Sequence, residues 1–184
     1  MAGSPTPHEN RAFDALLALA DQATRHARGL PAQVDIQPHW SGIGFSLNGC
    51  PVVAPMGEIV ELLPVPTATR LPGVRHWVRG VANVRGRLLP LIDLEAWFGG
   101  SLGGSRAGHR VLVLERGELY VGLIVSRVHG MQHFPVDHFT TDLPPALGRV
   151  ADYVSGGYRQ REEVWAVLDP GRLAEDHRFI NAAA

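Results

Sequence analysis

The chain has 184 residues, 45% of them hydrophobic, enough to bury one substantial core in one domain or two small, intimately packed lobes. Its 17 basic and 18 acidic residues leave a formal net charge of -1, so bulk charge points to neither nucleic acid nor an anionic membrane. Every basic residue is arginine, which excludes a P-loop lysine, Schiff-base catalysis and the kinase phosphate lysine, and the single cysteine, Cys50, excludes an internal disulfide or a thiolate metal cluster and fits a reducing compartment. From Met1 to His8 the chain is small, polar and proline-containing and reads as a disordered tail. Asn10 offers a helix N-cap, and Phe13, Leu16, Leu17, Ala20 and Ala27 fall on one helical face. Arg25, His26 and Arg28 suit the negative end of that helix, with Gly29 and Pro31 as its stop. Asp14 and Asp21 interrupt the apolar run Ala15 to Ala20, so the segment is neither a signal peptide nor a membrane span, and no other apolar run approaches spanning length. The expected role of the helix is to pack on the body of the protein; contact with a partner is the alternative.

Beyond Gln37 the pattern changes to short β-type runs separated by glycine and proline. Phe45 to Leu47, Val52 to Ala54, Leu88 to Leu94, Val111 to Leu114, Leu119 to Val125 and Val164 to Leu168 are the clearest strands, at spacings that fit small barrels. Asn48-Gly49 and Arg116-Gly117-Glu118 mark hairpin turns, and Cys50 beside the first reads as a small apolar filler. Gly57 to Leu63 fits either a last helical turn or a strand, ended by Pro64 and Pro66. The glycine-rich connector within Ala96 to Gly108 divides the β region in two, Glu162-Glu163 reads as a solvated hairpin tip, and Asp169-Pro170 opens a short helix through Leu173.

The stretch Trp77 to Leu94 carries the strongest local signal. Arg75, His76, Arg79, Arg85 and Arg87, spaced by Gly80 and Gly86, predict a turn-rich cationic surface up to Arg87. Leu88 to Leu94 is apolar at almost every position, which predicts a strand covered on both faces, with Pro90 at an edge or a bulge. Arg85, held on a short turn beside Gly86, either docks a carboxylate or carbonyl of a partner or ties down its own loop.

Other motifs point to weaker chemistry. Gly99-Gly100-Ser101-Leu102-Gly103 matches a nucleophile-elbow pattern in letters, but that motif needs a strand before it and a helix after it, and a linker surrounds it here. Gly42-Ile43-Gly44 lacks a third glycine and precedes a strand, so it is no dinucleotide loop. His129, His133 and His138 with Asp137 invite a metal, against which Gly130 and Pro135 deny the one-faced helix that usually presents such ligands. Trp40, Trp77, Trp97 and Trp165 read as core or lobe-interface anchors.

The run from Gly80 through Val81, Asn83, Arg85, Gly86, Pro90 and Asp93 to Leu94 resembles the signature of CheW-like adaptor domains, roughly G-V-x-N-x-R-G-x-x-x-P-x-x-D-L. The resemblance extends from about Trp40 to about Leu173. Gly44 to Leu47 and Pro51 to Ala54 resemble the opening hairpin, and Ile59-Val60-Glu61-Leu62 resembles the V-x-E-I segment. Val111 to Glu115, Val121 to Val128 and Tyr153 to Leu173 are similar to the later strands. The WSGIGF opening, VAPMGE and the extension ending in GLPAQ look most like the adaptors of type IV pilus chemosensory systems. The resemblance implies a mainly β fold of two small SH3-like five-stranded barrel lobes, with an N-terminal helix and a short C-terminal helix. It divides the chain into an N-terminal extension at 1–38, the CheW-like domain at 39–175 and a C-terminal tail at 176–184. It implies a cytoplasmic, non-enzymatic scaffold, with no cofactor, no metal and no membrane insertion, coupling a methyl-accepting chemoreceptor tip to a CheA-type histidine kinase. The receptor-docking positions it implies are Ile59, Glu61, Asn83 and Arg85; the kinase's regulatory domain is expected near Gly122 and Ser126. The family often carries aspartate where this chain has Ser126, which leaves open any salt bridge or turn an aspartate supplies there. From another class, the runner-up is a small β-barrel binding single-stranded nucleic acid through Arg70 to Arg87, without the interleaved exposed aromatics such a surface uses.

Overall fold

The structure is a computed structural model and describes residues 7–26 and 38–183. It divides into an N-terminal helical unit, residues 1–36, and a β-rich unit, Gln37–Ala184, each described by itself. Helix α1 spans Pro7–His26. It begins ahead of the expected cap at Asn10, at a proline whose fixed φ suits a first helical turn. Asp21 and Arg25 form an ion pair one turn apart. Ala27, Arg28 and the expected stop at Gly29 and Pro31 lie outside the described residues.

In the β-rich unit the strands are β1 (His39–Leu47), β2 (Cys50–Pro55), β3 (Ile59–Pro64), β4 (Val78–Val84), β5 (Arg87–Asp93), β6 (Arg110–Arg116), β7 (Leu119–Val125), β8 (Arg127–Pro135), β9 (Phe139–Thr140), β10 (Val154–Gln160) and β11 (Glu163–Leu168). The short helices are α2 (Leu94–Trp97), α3 (Pro170–Glu175) and α4 (His177–Ile180). Two sheets result, one in the order β8-β1-β2-β11-β10-β9 and one in the order β3-β6-β7-β5-β4. The mainly β architecture with flanking helices is therefore as expected, except that the first sheet has six strands, β9 contributing two residues at its edge.

Apolar alternation sets how the sheets pack. Along β6 and β7, Leu112, Leu114, Leu123 and Val125 join a core shared with Phe45, Leu47, Val52 and Ala54 of the first sheet. Val111, Val113 and Ile124 point the other way, onto Leu89 and Leu91. These two strands are covered on both faces, which explains their near-continuous apolar runs. The first sheet has its own opposite layer of Val53, Phe134, Tyr158, Trp165 and Val167.

One open alternative resolves and two local expectations change. The segment 57–63 resolves into strand β3, paired antiparallel with β6. Residues 78–84 form a strand rather than a turn-rich surface, because Gly80 (φ 134°) takes a bulge opposite β5 and lets the chain following β3 approach: a Cβ there would meet the Thr69 carbonyl oxygen at 2.2 Å. Thr69 and Val81 exchange two backbone hydrogen bonds of 2.9 Å across this contact, covering part of the β4 edge. In β5, Leu88 (71% exposed) and Pro90 face outward while Leu89 is buried, so only the second half of the strand, Leu91 to Asp93, is buried at every position. That half is the part paired with β7, Leu91 to Asp93, and Pro90 precedes it, so its missing donor falls outside the β5–β7 ladder. Strand β8, which sequence reasoning did not find, is an edge strand whose His129, Met131 and His133 are exposed and blur the alternation.

Candidate functional site

Strands β4 and β5 are joined by Arg85 and Gly86, both in the left-handed region (φ 51° and 83°), the geometry that a two-residue type I′ hairpin requires. Glycine takes it freely, whereas arginine gives up roughly 1–2 kcal/mol there. Two contacts hold the turn. The Gly86 amide donates to Asn83 Oδ1 at 2.9 Å, and Arg85 Nη2 meets Glu61 Oε1 of β3 at 2.6 Å. Strands β3 and β4 lie at opposite edges of their sheet, so the Arg85–Glu61 pair reports how far the sheet curls. The Arg85 side chain remains 81% exposed while Glu61 is 24% exposed, an ion pair with one nitrogen face still free for a partner. Next to it, the Arg87 guanidinium lies over the Tyr120 ring at 3.8 Å and hydrogen-bonds Glu115.

The structure thus gathers Glu61, Asn83 and Arg85 into one cluster. Ile59 is half-buried and packs against the shared core. The exposed apolar residues of this region are instead Val60 and Leu62 on the outward face of β3, and Leu88 on β5. Period-two alternation along Ile59 to Leu63 carries that signal once the segment is read as a strand.

Gly122 and Ser126 do not share a surface. Gly122 is buried in β7, where a Cβ would stand 2.7 Å from Leu91 Cδ2 and 2.8 Å from Val111 Cγ1; it is a close-packing position, and any surface nearby is offered by other residues. Ser126, just past β7, is half-buried and donates its amide to Glu95 Oε1 at 3.2 Å. It lines a cleft of about 530 Å³ with Leu62, Arg110, Arg127 and Val128, where β3 and β6 of one sheet meet β8 of the other.

Asp93, the aspartate of the signature, is fully buried and does two things. Its Oδ1 accepts from the Ala96 amide at 2.9 Å, capping α2, and its Oδ2 takes the Arg79 guanidinium. Sequence reasoning gave it neither role, although Asp followed by Leu-Glu-Ala-Trp is a helix-start signal. The histidines considered for a metal bond separately: His129 Nε2 with Ser46 Oγ at 2.9 Å, His133 Nδ1 with Ser41 Oγ at 2.7 Å, and His138 Nδ1 with the Arg159 carbonyl at 3.2 Å. Burial, with nearby Arg127, pushes the His129 imidazole below its ordinary value against the opposing pull of Glu163. Ser101 follows helix α2 and a glycine turn rather than a strand, so the nucleophile-elbow geometry is not formed. Among the described residues no helix is long and apolar enough to cross a membrane.

Comparison with known proteins identifies the family and the fold. The family model for the CheW-like domain matches residues 41–178. The chain is 47% identical to Protein PilI of Pseudomonas aeruginosa over 171 residues, 93% of this chain and 96% of that one. It is 30% identical to Protein FrzA of Myxococcus xanthus over 123 residues, 66% of this chain and 72% of that one. Its fold is similar to that of the scaffolding protein TtCheW from Thermoanaerobacter tengcongensis, with a TM-score of 0.62 at 22% identity, covering 72% of this chain and 90% of the other. With its signature turn built around Asn83 and Arg85 and its signature aspartate buried as a helix cap, the chain belongs to the CheW-like domain family.

Proposed function

We propose that this protein is a non-enzymatic cytoplasmic adaptor that couples the cytoplasmic tip of a methyl-accepting chemoreceptor to a CheA-type histidine kinase, in a chemosensory system that controls type IV pilus motility. The observation that carries this reading is the Glu61–Arg85 ion pair, with Asn83 bracing the turn beneath it and exposed Val60 on β3 and Leu88 on β5. Apolar residues supply contact area and a half-free guanidinium sets orientation, the division of labour seen at protein interfaces. Ile59 anchors β3 to the shared core. The kinase's regulatory domain is assigned to the Ser126 cleft, with Gly122 packing the strand behind it. Identity to PilI over nearly the full length of both chains supports the link to a pilus system. Coupling then follows from linkage: a receptor change that alters docking on one surface shifts the kinase's conformational balance through the other.

The test is binding of the purified chain to a receptor cytoplasmic tip and, separately, to the kinase regulatory domain, for wild type and Arg85→Glu. The variant sets two carboxylates against each other at the turn. Receptor affinity is expected to fall at least about tenfold, roughly 1.4 kcal/mol, with kinase affinity and the circular dichroism spectrum unchanged. Receptor binding that ignores Arg85→Glu, or wild-type binding to neither partner, would overturn the proposal.

A further inference from the structure

A cleft of about 690 Å³ lies at the far end of the β4–β5 hairpin from the Arg85 turn. From Arg79 to Arg85 the strand runs about six residues at about 3.3 Å each, so the two places are about 20 Å apart. Arg70, Arg75, Arg79, Arg106, His76 and His109 line the cleft, and no aspartate or glutamate does. For a chain with a net charge of -1 this is a marked segregation of charge. Elsewhere Arg85, Arg87, Arg116 and Arg159 each pair with a carboxylate.

The arginines of the cleft differ in how they are held. Arg79 is fixed from behind by Asp93, which is fully buried and so neutralises it without facing the cleft. Arg75 donates its Nε to the Ala183 carbonyl at 3.0 Å, which leaves its terminal nitrogens free of that bond. Arg70 and Arg106 have no carboxylate partner among the described residues. The His109 Nε2 is engaged with the Gly103 carbonyl at 2.9 Å, which steadies the loop that carries Arg106. The floor is apolar, made by Val78, Leu91 and Ile124. The cleft has the volume of a small-ligand pocket and the usual composition of one, an apolar floor with a few convergent polar groups.

From this arrangement we infer that the cleft is a binding site for a small organic anion that carries at least two acidic groups, phosphate or carboxylate, on an apolar body. Planar guanidinium groups bind both acid types in a bidentate manner, and Arg70 and Arg106, on the lining without a carboxylate partner among the described residues, are the two placed to do so. The apolar body covers the exposed Leu71 and the half-buried Val78 of the lining. A concave, partly apolar pocket selects a small molecule over a polymer backbone, for which a tracking groove with exposed aromatics would be needed. This site is independent of the adaptor reading, because it uses none of the residues placed at the receptor or kinase surfaces.

The test uses 8-anilinonaphthalene-1-sulfonate as the apolar anionic probe, with inorganic pyrophosphate and citrate as competitors, on the full chain. Wild type is expected to bind one dye saturably, to release it to pyrophosphate or citrate, and to lose affinity as salt is raised. Arg70→Gln/Arg106→Gln should weaken the dye at least about tenfold, equivalent to about 1.4 kcal/mol. The charge-matched control Arg159→Gln/Arg161→Gln, on the distant β10–β11 hairpin, should bind as wild type does. Near-ultraviolet circular dichroism of each variant establishes that the fold is retained. Unsaturable dye binding, equal loss in the two double variants, or competition only by a single-stranded oligonucleotide would overturn the inference.

Discussion

Ser126 sits against a buried carboxylate, and that contact decides what a substitution there does. Its amide donates to Oε1 of Glu95, a carboxylate only 3% exposed in the first turn of α2. A second carboxylate at position 126 would stand within a few ångströms of the first, in a region where solvent screens poorly, so one of the two must protonate or move away. Ser126→Asp is therefore expected to lower the unfolding free energy by about 1–3 kcal/mol at neutral pH. Urea unfolding measures this. Ser126→Ala keeps the backbone donor and should lie within about 0.5 kcal/mol of wild type. An aspartate variant as stable as the alanine variant would show that Glu95 tolerates a neighbour of its own sign.

At the scale of elements, α4 shows how a short helix is held by one carboxylate. Asp176 caps it through the Arg178 amide at 2.7 Å, takes the Arg178 guanidinium at 2.8 Å and accepts the Tyr153 hydroxyl. The Arg178 guanidinium above all, then the Tyr153 hydroxyl and the amide, hold the Asp176 carboxyl well below the usual carboxylate range, against an opposing push from burial. A depressed carboxylate stabilises the fold above its unfolded value near 3.8 and loses that contribution as pH falls below it. In urea unfolding, wild type should lose stability more steeply than Asp176→Asn between about pH 5 and about pH 2.5, because asparagine keeps the cap but not the charge. Parallel acid limbs would overturn this assignment. Elements of this kind mark where the sequence was legible. The strands seen at 45–47, 52–54, 111–114, 119–125 and 164–168, the Asn48-Gly49 turn and the Asp169 cap were readable because each signal is local: alternation, a turn pair or a cap. Strand β8 was not readable and β10 only through the family resemblance, since β8 is an edge rich in histidine and glycine, and β10 packs through Gly156 and Gly157, which have no side chain to pattern. In the candidate site the cluster of Asn83, Arg85 and Glu61 followed from the family signature, but its physical bond did not. Glu61 and Arg85 meet only because the sheet curls, a tertiary property with no sequence period. The burial of Gly122 and the inward face of Ile59 were hidden for the same reason.

For the β-rich unit as a whole, the question is whether its two sheets behave as two lobes or as one body. Each has a private apolar layer, yet the largest buried cluster belongs to both. Phe45, Leu47 and Val52 of the first sheet pack there with Leu112, Leu123 and Val125 of the second and with Leu173 and Phe179 of the C-terminal helices. Chain connectivity reinforces this sharing, since β11 returns to pair in parallel with β2 after the chain has completed the second sheet. A core built jointly cannot be lost by one sheet and kept by the other, so unfolding should be cooperative across the unit. Leu123 lies fully buried in this shared layer, and Leu123→Ala is expected to cost about 2–5 kcal/mol. The informative readout is amide hydrogen exchange measured strand by strand. If the sheets are one body, protection in β2 and in β7 should fall by the same factor, although the substitution lies in β7 alone. Protection lost in β6 and β7 but retained in β2 and β11 would mean that the sheets unfold as separate lobes, and that strain at a docking face on one has no rigid path to the other.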